Sequence, residues 1–199
     1  MSPLTTSFFT SWAFFDAAAN EETIGTVILA LANVLGMHPD MQHLIEQMQR
    51  SRMGIYSCQG EDGEFVGLRE FVTGVVFRAI TPATTRGRKG EIWYARLLPS
   101  PLPDRNEHVV FTTPYVLQEP GSSEWQAYFR RVLPAGPMQA RLDAYARHMK
   151  YGPTPTYWPE FVFEGYAGQT SGAVQLIGLP DLAASRPHSA VNTSGRGRG

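Results

Sequence analysis

Met53-Gly54-Ile55-Tyr56-Ser57-Cys58, Phe65-Val66-Gly67-Leu68-Arg69-Glu70-Phe71-Val72-Thr73-Gly74, Val75-Val76-Phe77-Arg78-Ala79-Ile80, Glu91-Ile92-Trp93-Tyr94-Ala95-Arg96-Leu97-Leu98 and His108-Val109-Val110-Phe111-Thr112-Thr113 are the runs that decide the fold. Each is short, rich in β-branched or aromatic residues and bounded by Gly, Pro, Asp or Asn, the pattern of strands and their turns. Asp62-Gly63, within Gly60-Glu61-Asp62-Gly63, is a strong hairpin signal, and Thr73-Gly74 marks a second turn. Strands at a spacing of roughly ten residues, with no helical pattern between them, predict a small antiparallel β-barrel or curled sheet over about residues 54–117. Ile55, Leu68, Phe77, Trp93 and Phe111 are its expected core.

Helices flank this stretch on both sides, so the fold class is α+β. On the N-terminal side (residues 5–52), Phe8, Phe9, Trp12, Phe14 and Phe15 form an aromatic cluster ending at Asp16. Such a density of rings is expected to pack on the barrel or on neighbouring helices. Asn20, before Glu21 and Glu22, reads as a helix cap. Ile24, Val27, Ile28, Leu31, Val34 and Leu35 then recur at helical spacing up to Gly36, which predicts an inward apolar face. A second helix runs from about Pro39 to Arg52, with Met41, Leu44, Ile45 and Met48 inward. Beyond the strands, helices are expected over 122–166, opening at Ser122, Met138 and Thr156. Residues 1–181 form one globular domain in this reading, and 182–199, ending Gly195-Arg196-Gly197-Arg198-Gly199, are expected to be disordered.

Composition narrows the function classes. Hydrophobic residues are 43% and charged residues 18%, enough for a sizeable core. A net charge of −1 supplies no global attraction to nucleic acid or anionic membrane, so any basic surface must be local. Cys58 is the single cysteine, which excludes an internal disulfide and a cysteine-rich zinc site. Met1-Ser2-Pro3-Leu4 lacks a basic lead-in, and the apolar run from Ile24 to Leu35 is about half a membrane span. These features point to a soluble cytoplasmic protein.

No catalytic motif emerges. Cys58 lies in a strand and reads as a buried thiol. Gly-x-Ser-x-Gly does not occur, the five histidines have no zinc-ligand spacing, and Glu61 and Asp62 sit in a turn. His38 and His43 do not share a helix face and read as capping and surface residues. The glycine-rich run Gly165 to Gly178 lacks the P-loop lysine and matches no dinucleotide fingerprint. No cofactor, metal or catalytic residue is assigned. The chemistry that remains is local and basic. Arg86, Arg88 and Lys89 stand among glycines in the connection Thr81 to Gly90, a loop able to contact phosphates. Tyr94 and Arg96 share one face of a strand, where a ring and a guanidinium could stack a base; Arg96 could equally satisfy Glu70 or Glu91 across strands.

Ser11-Trp12-Ala13-Phe14-Phe15-Asp16, Ser51-Arg52-Met53-Gly54-Ile55-Tyr56, Leu68-Arg69-Glu70-Phe71-Val72-Thr73-Gly74 and Gly90-Glu91-Ile92-Trp93-Tyr94-Ala95-Arg96-Leu97-Leu98-Pro99 together resemble a group of uncharacterised bacterial proteins. In that group a Trp-x-x-Phe-Asp helix leads through a helical pair into a small barrel, sometimes followed by a cysteine-rich SEC-C metal-binding tail. This chain has no such tail, so metal binding does not carry over. The resemblance covers roughly the first 115 residues; it implies the architecture and brings no activity. The expectation is a non-catalytic binding or scaffolding module of a bacterial cytoplasmic system, with a protein partner. The alternative is a nucleic-acid-binding protein using Arg86, Arg88, Lys89 and Arg96.

Overall fold

The computed structural model describes residues 3–20, 22–81, 86–100 and 105–181. Helices α1 (Pro3–Phe15), α2 (Ile24–Ala30) and α3 (Pro39–Arg50) precede strands β1 (Met53–Asp62), β2 (Phe65–Glu70), β3 (Val76–Ile80), β4 (Ile92–Pro99), β5 (His108–Val110) and β6 (Tyr115–Glu119). Helices α4 (Ser122–Val132), α5 (Met138–Tyr151) and α6 (Tyr157–Glu164) follow, then strands β7 (Tyr166–Gln169) and β8 (Val174–Ile177). The fold is α+β, a small barrel flanked by helices.

The sheet runs β1-β2-β3-β5-β4-β6-β8-β7, and a further β1–β4 pairing closes its first five members into a barrel. Closure removes the exposed edges that a short curled sheet would otherwise present. The barrel is antiparallel except where β3 and β5 run parallel. Strand β4 is its hinge point. It pairs with β1 along one edge, while its other edge is divided between β6 at Ile92–Tyr94 and β5 at Leu97–Pro99. Seven of its eight residues are buried as a result.

Alternation along β4 separates two cores. Trp93, Ala95 and Leu97 point into the barrel with Tyr56, Cys58, Val66, Leu68, Ala79 and Val110. Ile92 and Tyr94 point the opposite way, with Met53 and Ile55, into a second core closed by Phe8, Trp125, Tyr128, Phe129, Tyr145 and Trp158. Rings dominate this outer core: Tyr94 stacks on Trp158 at 5.1 Å and Phe8 meets Tyr115 edge-on at 5.5 Å. Edge-to-face and offset contacts of this kind stabilise beyond area burial alone.

Of the five residues expected in the core, Ile55, Leu68 and Trp93 are fully buried and Phe77 packs from the barrel rim. Phe111 is 44% exposed. It follows the inward Val110, so the two-residue period turns it outward, away from the barrel interior. The glycine-rich run Gly165 to Gly178, for which no strands were expected, holds the hairpin β7–β8, whose second strand lies parallel to β6. Its strands have four residues each, too short to show a strand period against the surrounding glycines. The tail expected over 182–199 lies outside the described residues.

The N-terminal hairpin also departs from expectation. Thr23, not Asn20, caps α2: its hydroxyl accepts from the Thr26 amide at 3.1 Å, and the Thr26 hydroxyl accepts from the Thr23 amide at 2.9 Å. Asn20 instead takes φ 52°, in the tight turn that joins Ala19 to Glu22. The helix is short, and Leu31 to Gly36 form turns. Its inward side is the small-residue stripe Gly25–Ala32. A Cβ on Gly25 would lie 2.5 Å from Gln49 Oε1 and 2.7 Å from Phe15 Cδ1, so this close approach requires glycine. The expected inward stripe, Ile24, Val27 and Leu31, therefore faces out.

Candidate binding surfaces

Arg96 is not on an open face. It is fully buried, and its guanidinium is ion-paired to Asp16 at the end of α1. It also donates to Ser51 Oγ at 2.9 Å, Ser51 O at 3.3 Å and Met48 O at 3.5 Å. Lys150 of α5 enters the same cluster, donating to Gln49 O and, at 3.1 Å, to Ser51 O, with its Nζ 3.7 Å from Asp16 Oδ1. Three helices are thus tied to β4 around one buried carboxylate. Burial raises the Asp16 carboxyl to about 6, with Arg96 and Lys150 opposing the rise, and burial lowers Lys150 to about 8. Tyr94 is equally buried, stacked on Trp158. The expected base-stacking role of Arg96 fails because the helices cover that face of β4. Nor does Arg96 satisfy Glu70 or Glu91. Glu70 takes both Nη atoms of Arg52, at 2.8 and 3.3 Å, and Glu91 accepts from Trp93 Nε1 at 3.1 Å.

The basic loop is ordered where it meets the barrel. Residues 82–85 lie outside the described residues, but Gly87 plugs the barrel end. A Cβ there would sit 2.7 Å from Cys58 Sγ, 2.9 Å from Val66 Cγ2 and 3.0 Å from Trp93 Cζ2. Arg88 N donates to Glu91 Oε2 at 3.1 Å, and Gly90 N donates to Cys58 O at 2.9 Å. Arg86, Arg88 and Lys89 are left exposed on this anchored turn. A cavity of about 520 Å³ joins Arg86 and Arg88 to the β7–β8 turn at Thr170–Ala173, with Glu61 on its wall. Sequence distance hid that juxtaposition: some 80 residues separate the two loops, and the parallel β6–β8 pairing places the hairpin.

The third surface is the outer face of the α2–α3 hairpin. Ile24, Val27, Leu31, Val34, Leu35, Met41 and Leu44 are all exposed, Val34 at 84% and Leu35 at 60%. Ile24, Val27 and Leu31 share one helical face, as do Met41 and Leu44 on α3. Met48 alone of α3's expected inward set is fully buried. Phe14 adds an exposed ring at the end of α1, whereas Trp12 is tied to Pro155 O at 3.2 Å.

The other chemical candidates are quiet. Cys58 is buried and burial pushes its thiol up, which suppresses the thiolate. His38 caps α3, its Nδ1 accepting from the Asp40 amide at 3.2 Å, and His43 Nε2 lies 2.8 Å from Gln47 Nε2. Among the described residues no group of three or more His, Cys, Asp or Glu is placed to hold a metal ion, and no helix is long and apolar enough to cross a membrane. No protein-family model, curated protein or solved structure matches the chain.

Proposed function

We propose that this protein is a non-catalytic binding module that recognises a protein partner through the outer apolar face of the α2–α3 hairpin. The observation carrying this reading is the run of seven large apolar residues left exposed between Ile24 and Leu44. Proteins rarely leave a contiguous apolar patch bare unless it contacts something. The short helix α2 gains its hold on the body through Gly25, Thr23 and Gln49, so the outer stripe is not required for packing. An amphipathic helix of a partner laid along this face is the matching occupant. A photo-crosslinking residue placed at Val34 or Leu35 should trap one discrete protein adduct. The same residue at Met138 or Phe163, exposed elsewhere, should not. Equal or absent trapping at all four positions refutes the reading.

A specific observation favours nucleic-acid binding as the second reading, namely the convergence of Arg86 and Arg88 on the Thr170–Ala173 turn. The strand order is also that of the OB-type barrel, a scaffold that binds oligonucleotides and oligosaccharides through its β2–β3 face and its β1–β2 and β4–β5 loops. Here the tip of the β1–β2 hairpin carries Glu61 and Asp62 at the end of β1 and Glu64 in the turn, which repel phosphate, so that part of the scaffold's usual surface is poorly matched. The anchored basic turn, with Arg86, Arg88 and Lys89 exposed together, is electrostatically suited. Replacing Arg86, Arg88 and Lys89 by Ala should flatten the slope of log K against log salt by about 0.7–0.9 per lost contact. Absence of affinity for any DNA or RNA at low salt removes this reading.

A further inference from the structure

Helix α3 lies across one mouth of the barrel, and between the two is a cavity of about 420 Å³, within the range of small-molecule pockets. Side chains from the barrel interior and rim form its floor: Tyr56 from β1, Phe77 from β3 and Leu97 from β4, with Pro99 beside them. Phe77 is held edge-on between Tyr56, at 6.0 Å, and His108, at 4.9 Å. The floor is thus a fixed apolar surface that the fold leaves partly uncovered.

The polar groups of the wall are not equivalent. Glu70 is the acid among them, and its carboxylate already receives both Arg52 nitrogens and the Thr73 hydroxyl, at 2.8 Å. That pair neutralises itself. Burial lowers His108, which favours its neutral form. Arg50 is different. It stands at the rim and meets Glu46 at 3.8 Å in an exposed pair, a kind of contact that contributes little. An apolar floor with one weakly engaged guanidinium at its mouth suits an anion that carries an apolar body. Arg presents the planar fork that a carboxylate takes in two parallel hydrogen bonds.

We infer that this cavity binds a carboxylate bearing an apolar or aromatic tail, the tail lying on Phe77 and Leu97 and the carboxylate meeting Arg50. The chemistry is shared by a free small acid and by a peptide C-terminus ending in an apolar residue. The site is separate from the outer stripe of α2–α3, so each can fail without the other. Amide chemical-shift mapping of the whole protein with phenylbutyrate tests it, with neutral phenylbutyramide as the control. A short peptide ending in phenylalanine, as free acid and as amide, gives the second arm. The acid form should shift the amides of Gln47, Phe77 and His108 and bind about two- to fivefold tighter than its amide, the gain of an ion pair at an exposed guanidinium. Arg50→Gln, a change at an exposed side chain, should bring that ratio close to one. The tighter of the two acids identifies the source. Equal binding of acid and amide, an unchanged ratio in Arg50→Gln, or no shifts at those amides from either acid overturns the inference.

Discussion

Arg96→Met is the most informative perturbation of the fold. Methionine keeps much of the apolar stem and removes the guanidinium, which is fully buried and spans Asp16, Ser51 and Met48. Asp16 is then left in the interior with Lys150 as its remaining cation, 3.7 Å away. Breaking a buried ion pair by removing one partner costs about 3–5 kcal/mol, because the other charge stays desolvated. Lys150 compensates part of this, so the lower end applies, about 3 kcal/mol. For a chain of this size the corresponding fall in melting temperature is about 6–12 °C. Urea unfolding followed by tryptophan fluorescence measures it, since Trp93, Trp125 and Trp158 all lie in the two cores. Asp16→Ala should cost a similar amount, and the double variant should cost less than the two singles combined, by about 1–3 kcal/mol. A loss below about 1 kcal/mol, or strict additivity, refutes the clamp and returns Arg96 to the candidates for ligand contact.

Gly87→Ala should destabilise by about 1–3 kcal/mol and raise the reactivity of Cys58 toward thiol reagents. The added methyl would press on Cys58, Val66 and Trp93 at 3.0 Å or less and lift the basic loop from the barrel end; unchanged stability and labelling would show that the loop does not plug the barrel. For pH, two buried groups act in opposite directions. His148, with Nε2 2.6 Å from the Tyr128 hydroxyl and Asp181 as its charged neighbour, is lowered by burial from 6.5 to about 4. Its contribution is present above pH 6.5 and is lost as pH falls toward 4. Asp16 is raised by burial from 3.8 to about 6, so its contribution is present below pH 3.8 and is lost as pH rises through 6. In the overlapping window the wild type should show a shallow pH profile. His148→Gln should tilt the profile toward stability falling as pH rises from 4 to 6, since the Asp16 limb is then opposed by the smaller His108 limb alone of these buried groups. Urea midpoints across that window decide it, and parallel profiles for the two proteins would refute the assignment.

Much of the architecture is readable from the chain alone. The runs around Ile55, Leu68, Phe77 and Trp93 are strands because β-branched and aromatic residues between Gly and Asp turns suit a pleated, half-buried surface, and the helices after Ser122 and Met138 show their apolar spacing directly. Local pattern suffices there because the determining interactions lie within a few residues. It fails where the decision is non-local. The spacing of Ile24, Val27 and Leu31 defines an apolar face, but whether that face is covered depends on what stands opposite. Gly25 won the inward side because only a residue without a side chain allows α2 to approach Phe15 and Gln49. Arg96 has the same sequence context on an open sheet as under three helices; its role was decided by Asp16, 80 residues earlier in the chain, and by Lys150, 54 residues later. Sequence alone therefore determined the barrel strands and most of the helices, while the short β7–β8 hairpin and the extent of α2 escaped it. Tertiary structure decided which charges are spent inside and which surfaces remain to bind, because burial and pairing depend on contacts between residues that the chain keeps far apart.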